Sequence, residues 1–439
     1  MANRIYLCLA HMSEAGLEQK YIQEAFDTNW VAPLGPNVNG FEEDLKAFVG
    51  QGKEVVALTT GTAAVHLSLI ACGVEPGDEV ITQSFTFCAS AHPVTYLGAT
   101  PVFVDSEKET WNMDPDLLEE AIKDRIAKTG KKPKVIMPVA LYGMPYQIDR
   151  ILEIAKRYDI PVIEDAAEGF GSCYDGQVLG TFGRYGILSF NGNKMITTSG
   201  GGALICPNKE EGERVMWYAT QARESYPYYQ HETIGYNYRM SNICAGIGRG
   251  QMTIVNEHIA HHQHVHQLYV ELFSKIDGIE VHSQPANGRY ASNYWLTSIT
   301  IDENLKIKGQ ENAYKEIITS PVGGVPAVIH AASSARTDCQ PNDNVEALRM
   351  ALEKAGIESR PLWKPMHKQP VYCRTNEKLG MRNEELSHGI IRQTSATSVA
   401  YVNGVSENIF KKGMCLPAGP WVKDEDVKRI VETIKANII

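Results

Sequence analysis

The stretch that decides the fold is SFNGNKMITTSGGG, residues 189–202, in which one lysine, Lys194, lies between an apolar run and three consecutive glycines. A lysine surrounded by small residues is either part of a surface turn or a reactive amine that a flat ligand approaches closely. Glycine permits such an approach because it has no Cβ atom. The residues before and after this stretch distinguish the two interpretations.

Short β-rich runs alternate with amphipathic helical stretches through the first 250 residues. Most of the runs are continuously apolar, which is typical of strands covered on both faces, so we predict a mainly parallel sheet with helices on each side. One predicted helix runs from Thr62 to Gly73, and another begins at Asp114-Pro115, an N-cap acid followed by proline. The predicted strands are Val55–Leu58, Glu79–Thr82, Pro101–Val104, Lys134–Pro138, Val162–Glu164, Gly186–Ser189 and Gly202–Ile205.

The pattern changes after about residue 250 to one long helix followed by scattered strands and helices. We therefore predict a large α/β domain, residues 1–250, and a smaller α+β domain, residues 251–439. Two domains also suit the length, because a single core seldom grows beyond about 250–300 residues.

Composition excludes several classes of function. The chain is 43% hydrophobic and 21% charged, without an apolar run near the roughly 18 residues of a membrane span, and Ile5–Ala10 is shorter than a signal-peptide core of about 7–15 residues. We therefore expect a soluble, cytoplasmic protein with no membrane partner. The nine cysteines lack Cys-x-x-Cys spacing, which favours reduced thiols over a zinc site. A net charge of -10 disfavours a nucleic-acid partner, because phosphate binding needs a basic surface.

Chemistry-bearing residues follow four of the predicted strands. Thr60–Ala63 opens a helix after the first strand, where backbone N–H groups and the positive end of the helix dipole form a phosphate site. Ser84–Phe87 brings an aromatic ring, Glu164–Glu168 brings acids, and Ser189 leads to Lys194. Because ligands of open α/β sheets bind beyond the carboxyl ends of the strands, we expect these residues to meet in one site.

A phosphate site, a flat ring, an acid and a lysine together indicate pyridoxal 5'-phosphate. The amine of Lys194 can form a Schiff base with the cofactor aldehyde, and Asp165 can keep the pyridine nitrogen protonated so that the ring accepts electrons. Phe87 would stack on the pyridine. The hydroxyls of Thr62 and Ser189 would join the helix N–H groups on the phosphate.

The chain also resembles a known family, the sugar aminotransferases of the DegT/DnrJ/EryC1/StrS group, within PLP fold type I, the aspartate-aminotransferase fold. Each short motif is common by itself, but their order and spacing along most of the chain are specific. The motifs are GFEEDLKAFVG, GTAAVHLSL, GVEPGDEVITQSFTF, YLGATPVFVD, PVIEDAAEGFGS, SFNGNKMITTSGGG, GYNYRMSNICAGIG, SRPLWKPMHKQPV and GMCLPAG.

The resemblance implies roles for individual residues. Lys194 and Asp165 become the catalytic residues, and Glu168 would lie beside the phenolic oxygen of the cofactor, although it could equally be an acid at a helix start. Asn237, in GYNYRM, would reach the phosphate of the other subunit, which implies a homodimer with shared sites. The implied cofactor-binding residues are Gly61, Thr62, Ala63, Phe87, Asp165, Glu168, Ser189, Lys194 and Asn237.

Two departures from the commonest family pattern indicate the substrate. Asn191-Gly192 replaces a His-Pro pair, and Glu168 replaces a glutamine; both resemble the bacillosamine-type transaminases, which act on UDP-linked 4-keto-6-deoxy-N-acetylamino sugars. With glutamate as amino donor, the product would be a UDP-4-amino sugar for surface glycans. Residues 302–343 exceed the family pattern and receive no role. Candidate substrate-binding residues are Trp30, Arg223, Arg239, Lys364 and His367.

Other functions remain to be compared with this one. In a PLP-dependent sugar dehydratase of the same fold a histidine replaces the lysine, and a non-catalytic PLP-binding regulator would carry a DNA-binding segment, which we do not expect here. A metal site is a further alternative, since five of the 13 histidines lie within residues 258–266. We predict no metal and a polar, solvent-facing helix surface there. These histidines are His258, His261, His262, His264 and His266.

Overall fold

The computed structural model describes residues 4–314, 318–322, 325–329, 339–373, 382–386 and 389–439. The residues between these ranges include part of the unassigned 302–343 stretch, which therefore lies partly outside the described residues. Within the described residues, none of the helices combines the length and the hydrophobicity needed to cross a membrane.

Each of the seven strands predicted in the first 250 residues overlaps a strand of the structure, whereas two short strands in this part, Cys173–Tyr174 and Gln177–Val178, are not among those predicted. The strands are β1 Glu54–Leu58, β2 Glu79–Gln83, β3 Thr100–Val104, β4 Val135–Met137, β5 Ile163–Asp165, β6 Cys173–Tyr174, β7 Gln177–Val178, β8 Tyr185–Ser189, β9 Gly202–Cys206, β10 Ile279–Val281, β11 Tyr290–Ala291, β12 Thr297–Ile301, β13 Ile318–Val322, β14 Val325–Ile329, β15 Arg360–Pro361, β16 Arg382–Glu385, β17 Ile391–Thr394, β18 Val399–Val402 and β19 Gly413–Leu416.

Local capping explains where the predicted helices begin. Thr60 caps α3, and the Asp114 carboxylate accepts hydrogen bonds from the Asp116 and Leu117 N–H groups at the start of α5. The helices are α1 Leu17–Asp27, α2 Pro36–Val49, α3 Gly61–Ala71, α4 His92–Tyr96, α5 Pro115–Thr129, α6 Ile148–Tyr158, α7 Lys209–Ala219, α8 Asn242–Met252, α9 Val255–Phe273, α10 Asp343–Lys354, α11 Val405–Lys412 and α12 Asp424–Asn437.

The central sheet consists of a four-stranded part, β1-β9-β8-β5, and a six-stranded part, β4-β2-β3-β18-β17-β16. Parallel bridges from Ile136 to Val162 and from Val139 to Asp165 join the two parts. Strands β8 and β5, β2 and β4, β2 and β3, and β3 and β18 are parallel, whereas β9 runs against β1 and β8, and β17 runs against β16 and β18. The sheet is therefore mainly parallel, as the sequence predicts.

Both faces of the central sheet are buried, which explains the continuous apolar runs. Along β1, Val55 and Ala57 pack into one hydrophobic cluster together with Phe41 of α2. Val56 and Leu58 point to the opposite face and pack into a second cluster with helix α3. Because both faces of such a strand are covered, a polar side chain on either face would lose its contact with water, and apolar residues are therefore favoured at every position.

A smaller antiparallel sheet, β10-β12-β19-β15, lies in the C-terminal part. Its core contains residues of α9, α10 and α12, among them Tyr269, Leu348 and Ile430. This is the predicted α+β arrangement.

Two segments cross the predicted boundary at residue 250. Residues 391–402 form β17 and β18, and β18 pairs in parallel with β3 of the large sheet. In the other direction, Ile5 forms a parallel bridge with Ile357. The division into residues 1–250 and 251–439 therefore stays a prediction.

The prediction of a solvent-facing histidine surface on α9 is wrong for three of its histidines, because His258, His262 and His266 are buried. Nδ1 of His258 lies 3.1 Å from the carbonyl oxygen of Met195, and the His266 ring stacks on Tyr294 at 3.6 Å between centroids. Burial lowers the pKa of His262 to about 3 and that of His266 to about 4. Neutral imidazoles thus pack here as small aromatic rings, and the described residues contain no group of side chains that could hold a metal ion.

Candidate active site

A cavity of about 330 Å³ lies at the carboxyl ends of β1, β5 and β8. Seven of the nine residues that we expect to bind the cofactor line it. They are Gly61, Thr62, Phe87, Asp165, Glu168, Ser189 and Lys194. The sheet edge therefore brings together residues that are far apart in the sequence, as parallel topology predicts.

The phosphate side of the cavity is the N-terminus of α3. The Thr60 hydroxyl accepts a hydrogen bond of 2.9 Å from the Ala63 N–H, so Ala63 makes a capping contact within the chain and does not line the cavity. Gly61 and Thr62 occupy the first positions of the helix, where N–H groups have no partner within the helix. Ser189 is adjacent: a Cβ on Gly61 would lie 3.1 Å from the Ser189 Cβ.

Gly202 holds these two segments together. It is the residue of β9 that pairs with Leu58 at the end of β1 and also with Ser189 at the end of β8. A Cβ at Gly202 would overlap the Gly61 nitrogen and the carbonyl carbon of Thr60. Of the three glycines after Lys194, Gly202 is thus the one that permits the close approach of three backbone segments at the phosphate end of the cavity.

Asp165 is a buried acid at the end of β5. Its Oδ2 accepts a 2.6 Å hydrogen bond from the Ser90 hydroxyl, and its Oδ1 accepts one of 3.1 Å from the Ala167 N–H. Burial raises the pKa of Asp165, and these two donors and the charge of Lys194 oppose the rise. A protonated ring nitrogen facing this carboxyl group would further stabilise its charged form.

Glu168 faces the amine of Lys194, with 3.5 Å between its Oε1 and Nζ. The same oxygen accepts a hydrogen bond of 3.3 Å from Nε1 of Trp363, and Oε2 accepts one of 2.7 Å from the Tyr142 N–H. Burial raises the pKa of Glu168, while Lys194 and the Tyr142 N–H oppose the rise. This carboxyl group is therefore held in a fixed orientation next to the lysine.

Aromatic residues line the cavity together with Lys194. Its Nζ lies 3.9 Å from the centre of the Trp295 ring, and the Trp295 Nε1 donates a 2.7 Å hydrogen bond to the Asn193 carbonyl oxygen. Phe87 is 52% exposed, and its ring centre lies 6.0 Å from that of Trp363. The exposed Phe87 ring borders the cavity without packing into the core, which is the placement that a stacking role needs.

The residues of the cavity fit pyridoxal 5'-phosphate. A helix N-terminus with an adjacent serine suits a phosphate, and a buried carboxylate suits a pyridinium nitrogen. The Lys194 amine and the Phe87 ring line the same cavity. This donor set matches the cofactor's phosphate, ring nitrogen, aldehyde and ring face.

Comparison with known proteins gives the family. Residues 13–319 match the model of the DegT/DnrJ/EryC1/StrS aminotransferase family. EpsN of Bacillus subtilis (strain 168) is 40% identical over 434 residues, which are 99% of this chain and 96% of EpsN. Its name describes it as a pyridoxal phosphate-dependent aminotransferase. The chain belongs to the DegT/DnrJ/EryC1/StrS family.

Further relatives agree with this assignment. The GDP-perosamine synthase of Escherichia coli O157:H7 is 31% identical, with 98% of each chain covered. A DegT/DnrJ/EryC1/StrS aminotransferase from Brucella abortus has the same fold, with a TM-score of 0.76, 26% identity, and coverage of 96% of this chain and 95% of that one. PLP fold type I is thereby confirmed, and the cofactor of this sugar aminotransferase family member is pyridoxal 5'-phosphate.

The remaining predicted residues of this DegT-family chain lie outside the cavity lining. Asn237 is exposed and pairs through its backbone with Thr220. The guanidinium of Arg223 lies over the Tyr229 ring at 4.2 Å, and Trp30 is 41% exposed. Their predicted roles in cofactor or substrate binding stay predictions.

Arg239, Lys364 and His367 differ in their surroundings. Nε of Arg239 is buried, and among the described residues it has no hydrogen-bond partner. Lys364 is half-buried. His367 is buried with its Nδ1 2.6 Å from the Ser84 hydroxyl, so in this chain it supports the loop that leads to Phe87.

Sequence reasoning missed Ser90, Trp295 and Trp363. Ser90 follows Phe87 within the same loop, and its hydroxyl could have been identified as a partner for the acid at the end of β5. Trp363 lies inside the motif SRPLWKPMHKQPV, directly before Lys364. Trp295 follows the irregular segment 292–294 and carries no motif of its own, so only the tertiary structure reveals it.

Gly202→Ala should weaken cofactor binding. The new methyl group would displace the backbone at Thr60 and Gly61, and overpacking of this kind costs about 1–3 kcal/mol, or roughly 5- to 150-fold in an equilibrium constant. The cofactor dissociation constant, measured by absorbance or by fluorescence quenching, should rise accordingly.

The matched control is Gly192→Ala in the lysine loop, where a Cβ would meet nothing nearer than the Ser199 carbonyl oxygen at 3.7 Å. Its cofactor affinity should stay near that of the wild type. Equal affinities for the Gly202 variant and the wild type would contradict the proposed role of this close approach.

Proposed function

We propose that the protein transfers the amino group of glutamate to the 4-keto carbon of a UDP-linked 2-acetamido-2,6-dideoxy-4-hexulose. The product is a UDP-4-amino sugar for surface glycan synthesis. The observation that carries the proposal is the single cavity in which Lys194 lies with Asp165, Glu168 and the N-terminus of α3.

The bound cofactor supplies an aldehyde that accepts the amino group and a ring that takes up electrons during the transfer. Lys194 would hold the cofactor through its amine and, once that amine is free, would move a proton to or from the sugar C4. Asp165, the buried acid at the end of β5, would hold the ring nitrogen of the cofactor and keep it protonated. Glu168 stabilises the positive charge of the Lys194 nitrogen, since the two groups are 3.5 Å apart.

The choice of sugar rests on two motifs. FNGNK and SRPLWKPMH both resemble the subgroup that acts on N-acetylated 4-ketosugars. An acidic protein must place cations locally to bind a diphosphate, and Arg223, Arg239 and Lys364 are the candidates, with His367 and Trp30 proposed near the sugar. Similarity to a GDP-perosamine synthase makes a GDP-linked sugar the second candidate.

A homodimer with shared sites is part of the proposal. Asn237 is exposed in the single chain, and a buried Arg239 Nε without a partner among the described residues lies two positions further on. Polar groups in such a state are commonly satisfied by a further partner. We propose that this segment contacts the phosphate site of a second copy.

Two other functions are less compatible with the site. A dehydratase of this fold would have histidine at the position of Lys194, and here the lysine amine faces a carboxylate inside the cavity. A purely regulatory module would not need Glu168 and Trp363 arranged around the amine.

Lys194→Ala should abolish turnover and remove the covalent bond to the cofactor. Borohydride reduction followed by intact-mass analysis should show the cofactor fixed to the wild type and not to the variant. The control is Lys209→Ala, a surface lysine whose side chain is 81% exposed. A reducible protein–cofactor bond in the Lys194 variant would refute the assignment.

The substrate proposal is tested with glutamate and a panel of UDP-, dTDP- and GDP-linked 4-ketosugars. The UDP-linked N-acetyl ketosugar should show the highest kcat/KM, by roughly tenfold or more, because polar groups that recognise the preferred sugar would be left unpaired by the others. NMR of the product reports the configuration of the new amine. An equal or higher kcat/KM for a dTDP or GDP sugar would exclude this choice while leaving the aminotransferase activity intact.

Shared sites are tested by mixing two inactive variants, Asn237→Asp and Lys194→Ala, unfolding them and refolding them together. Mixed dimers would contain one intact site, so random pairing at equal amounts should restore about a quarter of wild-type activity. Each variant refolded alone is the control. Mixed dimers without activity would count against a site that contains Asn237 of the second copy.

A further inference from the structure

Tyr142, Trp363 and Glu168 form a closed set of hydrogen bonds. The Tyr142 N–H and the Trp363 Nε1–H donate to the two oxygens of Glu168, at 2.7 and 3.3 Å. The Trp363 backbone N–H donates in turn to the Tyr142 hydroxyl oxygen at 2.7 Å. Each of the three residues therefore fixes the other two.

The two donors come from different parts of the chain. Tyr142 follows β4 of the large sheet and has φ 54°, a left-handed conformation that turns its N–H toward Glu168. Trp363 follows β15, which pairs with β19 in the small antiparallel sheet. The Glu168 carboxylate is thus held from both sheets at once.

The oxygen that Trp363 contacts is the same Oε1 that faces Lys194 at 3.5 Å. A hydrogen bond to a carboxylate favours its charged form, and a nearby negative charge favours the protonated form of an amine. The effect is strong here because Glu168 is only 5% exposed. Loss of the indole N–H would remove one of the two anchors of the carboxylate and part of the stabilisation of its charge.

We propose that Trp363 is a positioning residue that holds the Glu168 carboxylate against Lys194, so that the negative charge beside the cofactor-bound nitrogen depends on where the small sheet places Trp363. The inference rests on the proposed function in one respect, namely that Lys194 carries the cofactor. It adds a link between the position of the C-terminal part of the chain and the protonation of the reacting nitrogen.

The test is a double-mutant cycle of Trp363→Phe and Glu168→Gln, read out by the pH titration of the absorption of cofactor joined to Lys194. Glu168→Gln should lower the titration midpoint by about one unit or more, since it removes a negative charge next to the nitrogen. Trp363→Phe should lower it in the same direction by a smaller amount. In the Glu168→Gln background, Trp363→Phe should have no further effect.

Two further variants test whether a change of the titration midpoint is specific to the hydrogen bonds around Glu168. Trp421→Phe also loses an indole N–H, which bonds to the Ala10 carbonyl oxygen in an exposed position, and should leave the midpoint unchanged. Tyr142→Phe keeps the backbone donor to Glu168 but loses the hydroxyl that holds Trp363, and should lower the midpoint slightly. It also keeps the inference testable if Trp363→Phe does not fold.

An unchanged midpoint in both Trp363→Phe and Tyr142→Phe would overturn the inference, as would equal shifts caused by Trp363→Phe with and without Glu168. These outcomes differ from failure of the proposed function. If Lys194 does not carry the cofactor, borohydride reduction fixes none to it, and the titration has no lysine-linked absorption to follow.

Discussion

The site depends on a steric constraint, the close approach of three backbone segments at Gly202. Because β9 pairs there with the ends of both β1 and β8, the helix N-terminus at Gly61 and the hydroxyl of Ser189 are brought side by side. Any side chain at Gly202 would separate them. Strand β9, which runs antiparallel to both of its neighbours in a mainly parallel sheet, is thus the element that joins the phosphate end of the cavity to the loop that carries Lys194.

Charge burial is the second requirement of the site. Asp165 and Glu168 are each 5% exposed, and removing such groups from water costs several kcal/mol per ion unless partners compensate. Ser90, the Ala167 N–H and Lys194 supply part of this compensation. Buried charges of this kind do not make the fold more stable, because apolar residues of the same volume would stabilise it equally well. Their placement is explained by the chemistry of the site.

The sequence alone predicts the features that depend on local patterns, but not those that depend on contacts between distant parts of the chain. Lys194 and Asp165 could be located because each follows a short apolar run whose end lies at a predictable sheet edge. Trp363 could not, because its contact with Glu168 requires the small sheet to be placed first. The prediction for α9 fails at His258, His262 and His266, because histidine counts as polar in a sequence pattern, whereas a neutral imidazole packs well against an aromatic ring, as His266 does against Tyr294.

The buried histidines of α9 also tie folding to proton binding. In the folded chain the pKa of His262 is about 3, whereas an unfolded histidine has a pKa of about 6.5. Between these values the unfolded chain binds a proton that the folded chain excludes. Between pH about 6.5 and about 3, acidification therefore lowers the free energy of unfolding by about 1.4 kcal/mol per pH unit for a histidine such as His262. Above pH about 6.5 this loss is absent. The neutral histidines of α9 that contact Met195 and Tyr294 consequently link the integrity of the lysine loop to the acidity of its surroundings.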